Sequence, residues 1–195
     1  LNPLGAYDLV MDPIDGSGSI GIGAPLGALF AIFPHGPSPL RRGRDIIAAG
    51  YLSFGHSVDL GFSMGNGVSI ATLDPASGVF HVDSPRVTLG ERTSTIAFNA
   101  SNQRHWAAGL QRYVADLLAG ADGPRGRDFN MRWIAAAVGD LHRILRRGGV
   151  FLYPQTRRPG RRGANPGPNP CKNRLRPYAM LRTRRTRGPH ALNRQ

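Results

Sequence analysis

The chain has 195 residues, 25 basic against 12 acidic side chains, and a net charge of +13. That length fits one domain or two small ones, and 41% hydrophobic with 19% charged residues excludes wholesale disorder. A single cysteine, Cys171, excludes an internal disulfide framework and a cysteine-based zinc cluster.

Tyr7 to Asp12 reads as a strand that runs into a turn. The opening LNPLGAYDLVMDP has no signal-peptide pattern, and its lack of an initiator Met suggests that the true beginning is missing. Ala24 to Phe33 is a continuous apolar run, the mark of a strand buried on both faces. It is far shorter than the roughly 20 apolar residues that span a bilayer. Ala48–Phe54, Val68–Leu73, Val79–Val82 and Thr95–Asn99 are further short strands, set apart by Gly, Pro, Ser and Asp. Gly61–Gly67 has no following Lys or helix signal; it reads as a hairpin turn, not an NTPase phosphate loop. Then the period lengthens. Trp106, Leu110, Tyr113 and Leu117 share one helical face, and so do Ile134, Val138, Leu141 and Leu145. Arg146-Arg147 and Gly148-Gly149 close the second helix, and Val150–Tyr153 is a last strand ended by Pro154. Strands followed by alternating helix and strand predict a mixed α/β layered fold.

The charge is unevenly spread. Residues 1–140 hold 10 Arg and all 12 acidic residues, a balance of −2. Residues 141–195 hold 14 Arg, Lys172 and no acidic residue, a balance of +15. From Gln155 onward the apolar period disappears and Arg, Pro and Gly dominate, so the tail reads as disordered or non-native. With Tyr178 as its only aromatic, it offers no stacking platform, and nucleic-acid binding is the weakest of the functional readings.

Chemistry concentrates at Asp12-Pro-Ile-Asp-Gly-Ser-Gly-Ser19. Two carboxylates three residues apart stand where a strand ends, and Pro13 fixes the turn so that the Ile14 carbonyl can join them. Three oxygen ligands suit a hard cation such as Mg²⁺ or Mn²⁺. Gly16, Ser17 and Gly18 follow at once, with N–H groups that can form a concave anion site. Carboxylates for a metal beside an N–H nest are what phosphate-ester hydrolysis requires. An isolated Asp-Pro-x-Asp-Gly is more often a plain turn; the apolar strand before it and the Ser-Gly-Ser after it favour the functional reading. Asp74-Pro75 lacks a second carboxylate and reads as a turn alone.

MDPIDGSGSIGIGAPLGALFAIF resembles the metal motif of the sugar-phosphatase superfamily that includes inositol monophosphatases. AAGYLSFG, ATLDPASGVFHV, IAFNASN and NMRWIAAAVGDLHRILRRGGVFLYP then follow in the order and approximate spacing of class I fructose-1,6-bisphosphatases. The resemblance runs from about Tyr7 to Gly160. It implies a layered α-β-α-β-α sugar-phosphatase fold, here incomplete. Residues 1–92 would be the metal and phosphate part of a first domain, 93–154 part of a sugar-phosphate-binding second domain, and 155–195 the tail.

The resemblance implies that Asp12 and Asp15 bind metal through carboxylates and Ile14 through its carbonyl. It implies that Asp15, Gly16, Ser17 and Gly18 hold the reacting 1-phosphate. Asn99, Arg132 and Tyr153 match positions that hold the 6-phosphate, with Arg132 supplied across a subunit interface and Trp133 standing where many members have Tyr. The implied protein is a cytoplasmic homotetramer, with no membrane segment, hydrolysing fructose 1,6-bisphosphate in gluconeogenesis or the Calvin cycle. Sedoheptulose-1,7-bisphosphatase on the same scaffold is the alternative. There are departures. DGSSN-x-D reads Asp15-Gly-Ser-Gly-Ser-Ile-Gly21, and N-E-G-Y/N reads Asn99-Ala-Ser-Asn102. The family's further acidic ligands, a Glu pair upstream and a Glu after the FLYP strand, have no counterpart. The chain as written is therefore expected to be an inactive fragment, truncated in front and out of frame behind. Asp140 and His142 are expected to be structural.

Overall fold

The structure is a computed structural model that describes residues 5–38 and 41–154. The tail expected over 155–195, Cys171 and Tyr178 included, lies outside the described residues.

Six strands form an antiparallel meander in chain order: β1 (Tyr7–Asp15), β2 (Leu26–Pro34), β3 (Ala48–Phe54), β4 (Val58–Ser63), β5 (Ser69–Asp74) and β6 (Val79–Ser84). β2 is the apolar run, but its residues alternate between buried and half-buried. It is an antiparallel strand with one face in the core, not one buried on both faces. β4 occupies Gly61–Ser63, so the loop expected there is confined to the residues after Ser63. The strand was hidden because Gly61 interrupts its apolar pattern. That glycine is required by packing: the Tyr51 ring lies where its Cβ would be. Asp74 accepts from the Ala76 amide and the Ser77 hydroxyl, a turn stabilised by its own carboxylate.

A second sheet is parallel, in the order β8 (Asn130–Met131), β7 (Thr95–Phe98), β9 (Val150–Leu152). Helix α1 (Ala108–Leu118) puts Val114 and Leu117 on Ile96 and Phe98. Helix α2 (Ala137–Arg147) packs Val138, Leu141 and Leu145 with Leu29, Tyr51 and Ile70 of the first sheet. Each such fully buried side chain contributes about 1.5–3 kcal/mol. α2 also touches β9, so the layers run sheet, helix, sheet, helix. The outermost helical layer of the expected order is not among the described residues.

Trp106 and Ile134 precede their helices instead of starting them. Trp106 packs edge-on against Phe98, and Ile134 sits against the core of the first sheet. α2 ends where the sequence placed its stop: Gly148 adopts φ +76 and its N–H closes on the Ile144 carbonyl.

Candidate functional site

Alternation along a flat strand would send Asp12 and Asp15 to opposite faces, because they are three residues apart. β1 is not regular there. Asp12 pairs with Leu29 and Asp15 with Gly27, so three steps on β1 match two on β2. This bulge adds one residue and restores the parity. Leu29 and Gly27 share the core face, and both carboxylates therefore lie on the face that meets α2.

Asp15 meets the helix directly. Its Oδ2 accepts the Val138 N–H at 2.8 Å, across 123 residues of sequence. α2 has Ala136 at its N-cap and no capping side chain of its own. Asp15 takes that role from another layer, satisfying an orphan amide and bringing negative charge to the positive helix end. Gly27 makes the approach possible: a Cβ there would stand 2.0 Å from the Leu52 carbonyl oxygen and 2.8 Å from the Val138 side chain.

The turn after Asp15 is a single 3-10 turn, Ser17–Ser19, entered through Gly16 at φ +84. That left-handed value favours glycine, and a Cβ at Gly16 would also collide with Ala136. The Ser19 amide closes on the Gly16 carbonyl, so the amides of Ser17 and Gly18 stand ahead of the first bond of the turn. Ser17 and Gly18 are exposed. Asp12, Asp15 and the Ile14 carbonyl offer only oxygen donors, a chemistry that suits a hard divalent cation better than zinc. Among the described residues no group of three or more His, Cys, Asp or Glu side chains gathers to hold a metal.

Asn99, Arg132 and Tyr153 all fall at the carboxyl ends of the parallel strands, where open α/β sheets bind ligands. Phe98 pairs with Leu152, which sets Asn99 beside Tyr153. Asn99 uses its Oδ1 to accept the Ser101 amide at 3.0 Å, capping the 3-10 helix Ala100–His105. The Arg132 amide is tied to the Ile96 carbonyl, while its side chain is exposed. Trp133, Phe151 and Tyr153 stack: the first two rings lie 5.7 Å apart at 16°, the last two 6.2 Å apart at 8°. Phe151, which the sequence reading passed over, sets the spacing of the other two. Tyr153 remains 53% exposed.

Segment 132–138 joins the two groups of residues. It leaves β8 with Arg132 and Trp133, passes Ala136 against Gly16, and ends with the Val138 amide on Asp15. Asp140 supports it from α2, and His142 ties the same helix to the first sheet. Asp140 is fully buried; its Oδ2 accepts the Ile134 amide at 3.1 Å, and the Arg143 guanidinium lies 3.4 Å from its Oδ1. Burial pushes its carboxyl above the usual range, against the pull of those donors. His142 Nδ1 pairs with the Tyr51 phenol at 3.0 Å, and Asp59 lies 3.9 Å from its Nε2. Burial holds the imidazole below its ordinary value and pushes the phenol up. The sequence pattern singled out residues at both ends. It missed the bulge, the Asp15 cap and the spacing of the rings; the only sequence signal was a helix start without a capping side chain.

Two family models match: the N-terminal domain of fructose-1,6-bisphosphatase over residues 2–85 and its C-terminal domain over residues 89–164. The class 1 fructose-1,6-bisphosphatase of Brucella anthropi is 60% identical over 158 residues, which are 80% of this chain and 46% of that protein. Its counterpart in Brucella ovis is 59% identical over the same length and shares. The chain thus spans about half the length of the curated relatives it matches. Among solved structures, the holo form of Leishmania major fructose-1,6-bisphosphatase matches with a TM-score of 0.71 and 30% identity. That match covers 78% of this chain and 49% of that one.

Proposed function

The chain belongs to the fructose-1,6-bisphosphatase family, and from that premise we propose that it carries both phosphate-binding regions of a metal-dependent sugar-bisphosphatase site. The reaction is hydrolysis of the 1-phosphate of fructose 1,6-bisphosphate to fructose 6-phosphate and phosphate. The observation that carries this reading is the β1 bulge, which turns Asp12 and Asp15 to one face beside the 16–19 turn.

Asp12, Asp15 and the Ile14 carbonyl would hold Mg²⁺ or Mn²⁺. Such an ion supplies an acidified water and neutralises charge on the phosphoryl oxygens. The exposed amides of Ser17 and Gly18 donate to the reacting phosphate. Asn99, Arg132, Trp133 and Tyr153 grip the remote phosphate and so hold the reacting end in place, which converts binding energy into orientation. In a homotetramer Arg132 would serve the neighbouring subunit's site. The division into parts 1–92 and 93–154, and a place in the cytoplasm in central carbohydrate metabolism, belong to the same proposal. No described helix is long and apolar enough to cross a membrane.

With two carboxylates for the metal, the chain alone is expected to bind and not to turn over at a useful rate. Calorimetric titration with Mn²⁺, in the presence of fructose 6-phosphate and phosphate, tests this. Uptake that disappears in Asp12→Asn supports the site; equal uptake by that variant refutes the assignment.

A further inference from the structure

Ala135 is the one residue other than glycine with positive φ among the described residues, at 71°. An L side chain in that region costs on the order of 1–2 kcal/mol and persists only where its surroundings enforce it. Ala135 is exposed, so packing does not enforce it. Three fixed points do. Upstream, the Arg132 amide is bonded to Ile96 in the parallel sheet. Downstream, the Val138 amide is bonded to Asp15. Between them the buried Asp140 carboxylate accepts the backbone N–H of Ile134 at 3.1 Å, directly before Ala135. A neutral side chain would suffice to cap a helix, and the start of α2 is already capped by Asp15. A fully buried carboxylate is a costly way to hold a turn, and it tolerates little movement of the donors around it.

We propose that Asp140 is a positioning residue for sugar-phosphate binding: its carboxylate clasps the strained 134–135 turn and thereby sets the angle at which Arg132 and Trp133 leave β8 while Val138 stays on Asp15. This rests on the phosphate-gripping role given above to Arg132 and Trp133. Asp140 itself touches no substrate. It acts through the backbone between the two phosphate-binding regions.

The test compares the wild-type chain, Asp140→Asn, Ala135→Gly and the double variant. Two quantities are read under native conditions. One is amide hydrogen exchange at Ile134, Ala135 and Val138; the other is affinity for fructose 6-phosphate, followed by tryptophan fluorescence. Asp140→Asn should speed exchange at Ile134 and Ala135 and weaken fructose 6-phosphate binding by roughly tenfold, the scale on which outer partners orient binding groups. Ala135→Gly removes the strain and should return part of that affinity in the double variant. If Asp140→Asn alone does not fold, the same differences are read between Ala135→Gly and the double variant. A lower Tm with unchanged affinity and unchanged exchange at Ile134 and Ala135 would show a merely structural carboxylate and overturn the proposal. A wild-type chain that binds no fructose 6-phosphate, with exchange still accelerated in Asp140→Asn, would refute the phosphate role and leave only the clasp.

Discussion

Asp12 and Asp15 look equivalent in sequence, yet only Asp15 is tied into the fold. It caps α2 through the Val138 amide, whereas Asp12 lies half-buried on the strand beside Leu29. Their truncations should therefore separate. Asp15→Ala removes a cap and should cost about 1–2 kcal/mol, read as a lower urea midpoint at unchanged slope. Asp12→Ala should leave the midpoint nearly unmoved. Equal losses would mean that the cap contributes nothing. In the homotetramer, Arg132→Ala should weaken fructose 6-phosphate binding several-fold with little change in Tm, because an exposed guanidinium adds little to stability and, in the proposed site, much to gripping the neighbouring subunit's phosphate. Unaltered affinity in that variant would remove Arg132 from the site.

α2 holds the layers together: its flank meets the first sheet, its far side meets β9, and its start meets Asp15. Its attachment includes one titratable pair, His142 with Tyr51, faced by Asp59 and, more distantly, by Asp83 and Arg146. Burial lowers the His142 pKa below its ordinary 6.5, and Asp59 only partly opposes this. In the unfolded chain the imidazole takes a proton near 6.5; in the folded chain it resists until lower pH. This contribution to stability is thus complete above about pH 6.5 and is lost as the pH falls through the folded value. His142→Asn should flatten the fall of Tm between pH 7 and 5 relative to the wild type. An unchanged slope would show that His142 does not carry it. Most strands were legible because apolar runs and turn formers alternate so plainly. β4 was not, because Gly61 answers to the Tyr51 ring and not to a local preference. The bulge was equally hidden: only the partner strand reveals that Asp15 lies opposite Gly27. Asp12, Ile14 and Asp15 could be singled out from their chemistry, whereas the contact that places Asp15 comes from a helix 123 residues away.

Among the described residues, two sheets of different kinds are joined by α2, and the two groups of candidate site residues lie at either end of segment 132–138. The chain covers 46% of the length of its Brucella anthropi relative. The most direct test grafts the 158 matched residues of this chain into that relative in place of its own and measures Mg²⁺-dependent phosphate release from fructose 1,6-bisphosphate. The expected result is an active chimera in which Asp12→Asn or Asp15→Asn abolishes turnover while the fold survives. A folded but inactive chimera, or one in which either substitution leaves turnover intact, would contradict it.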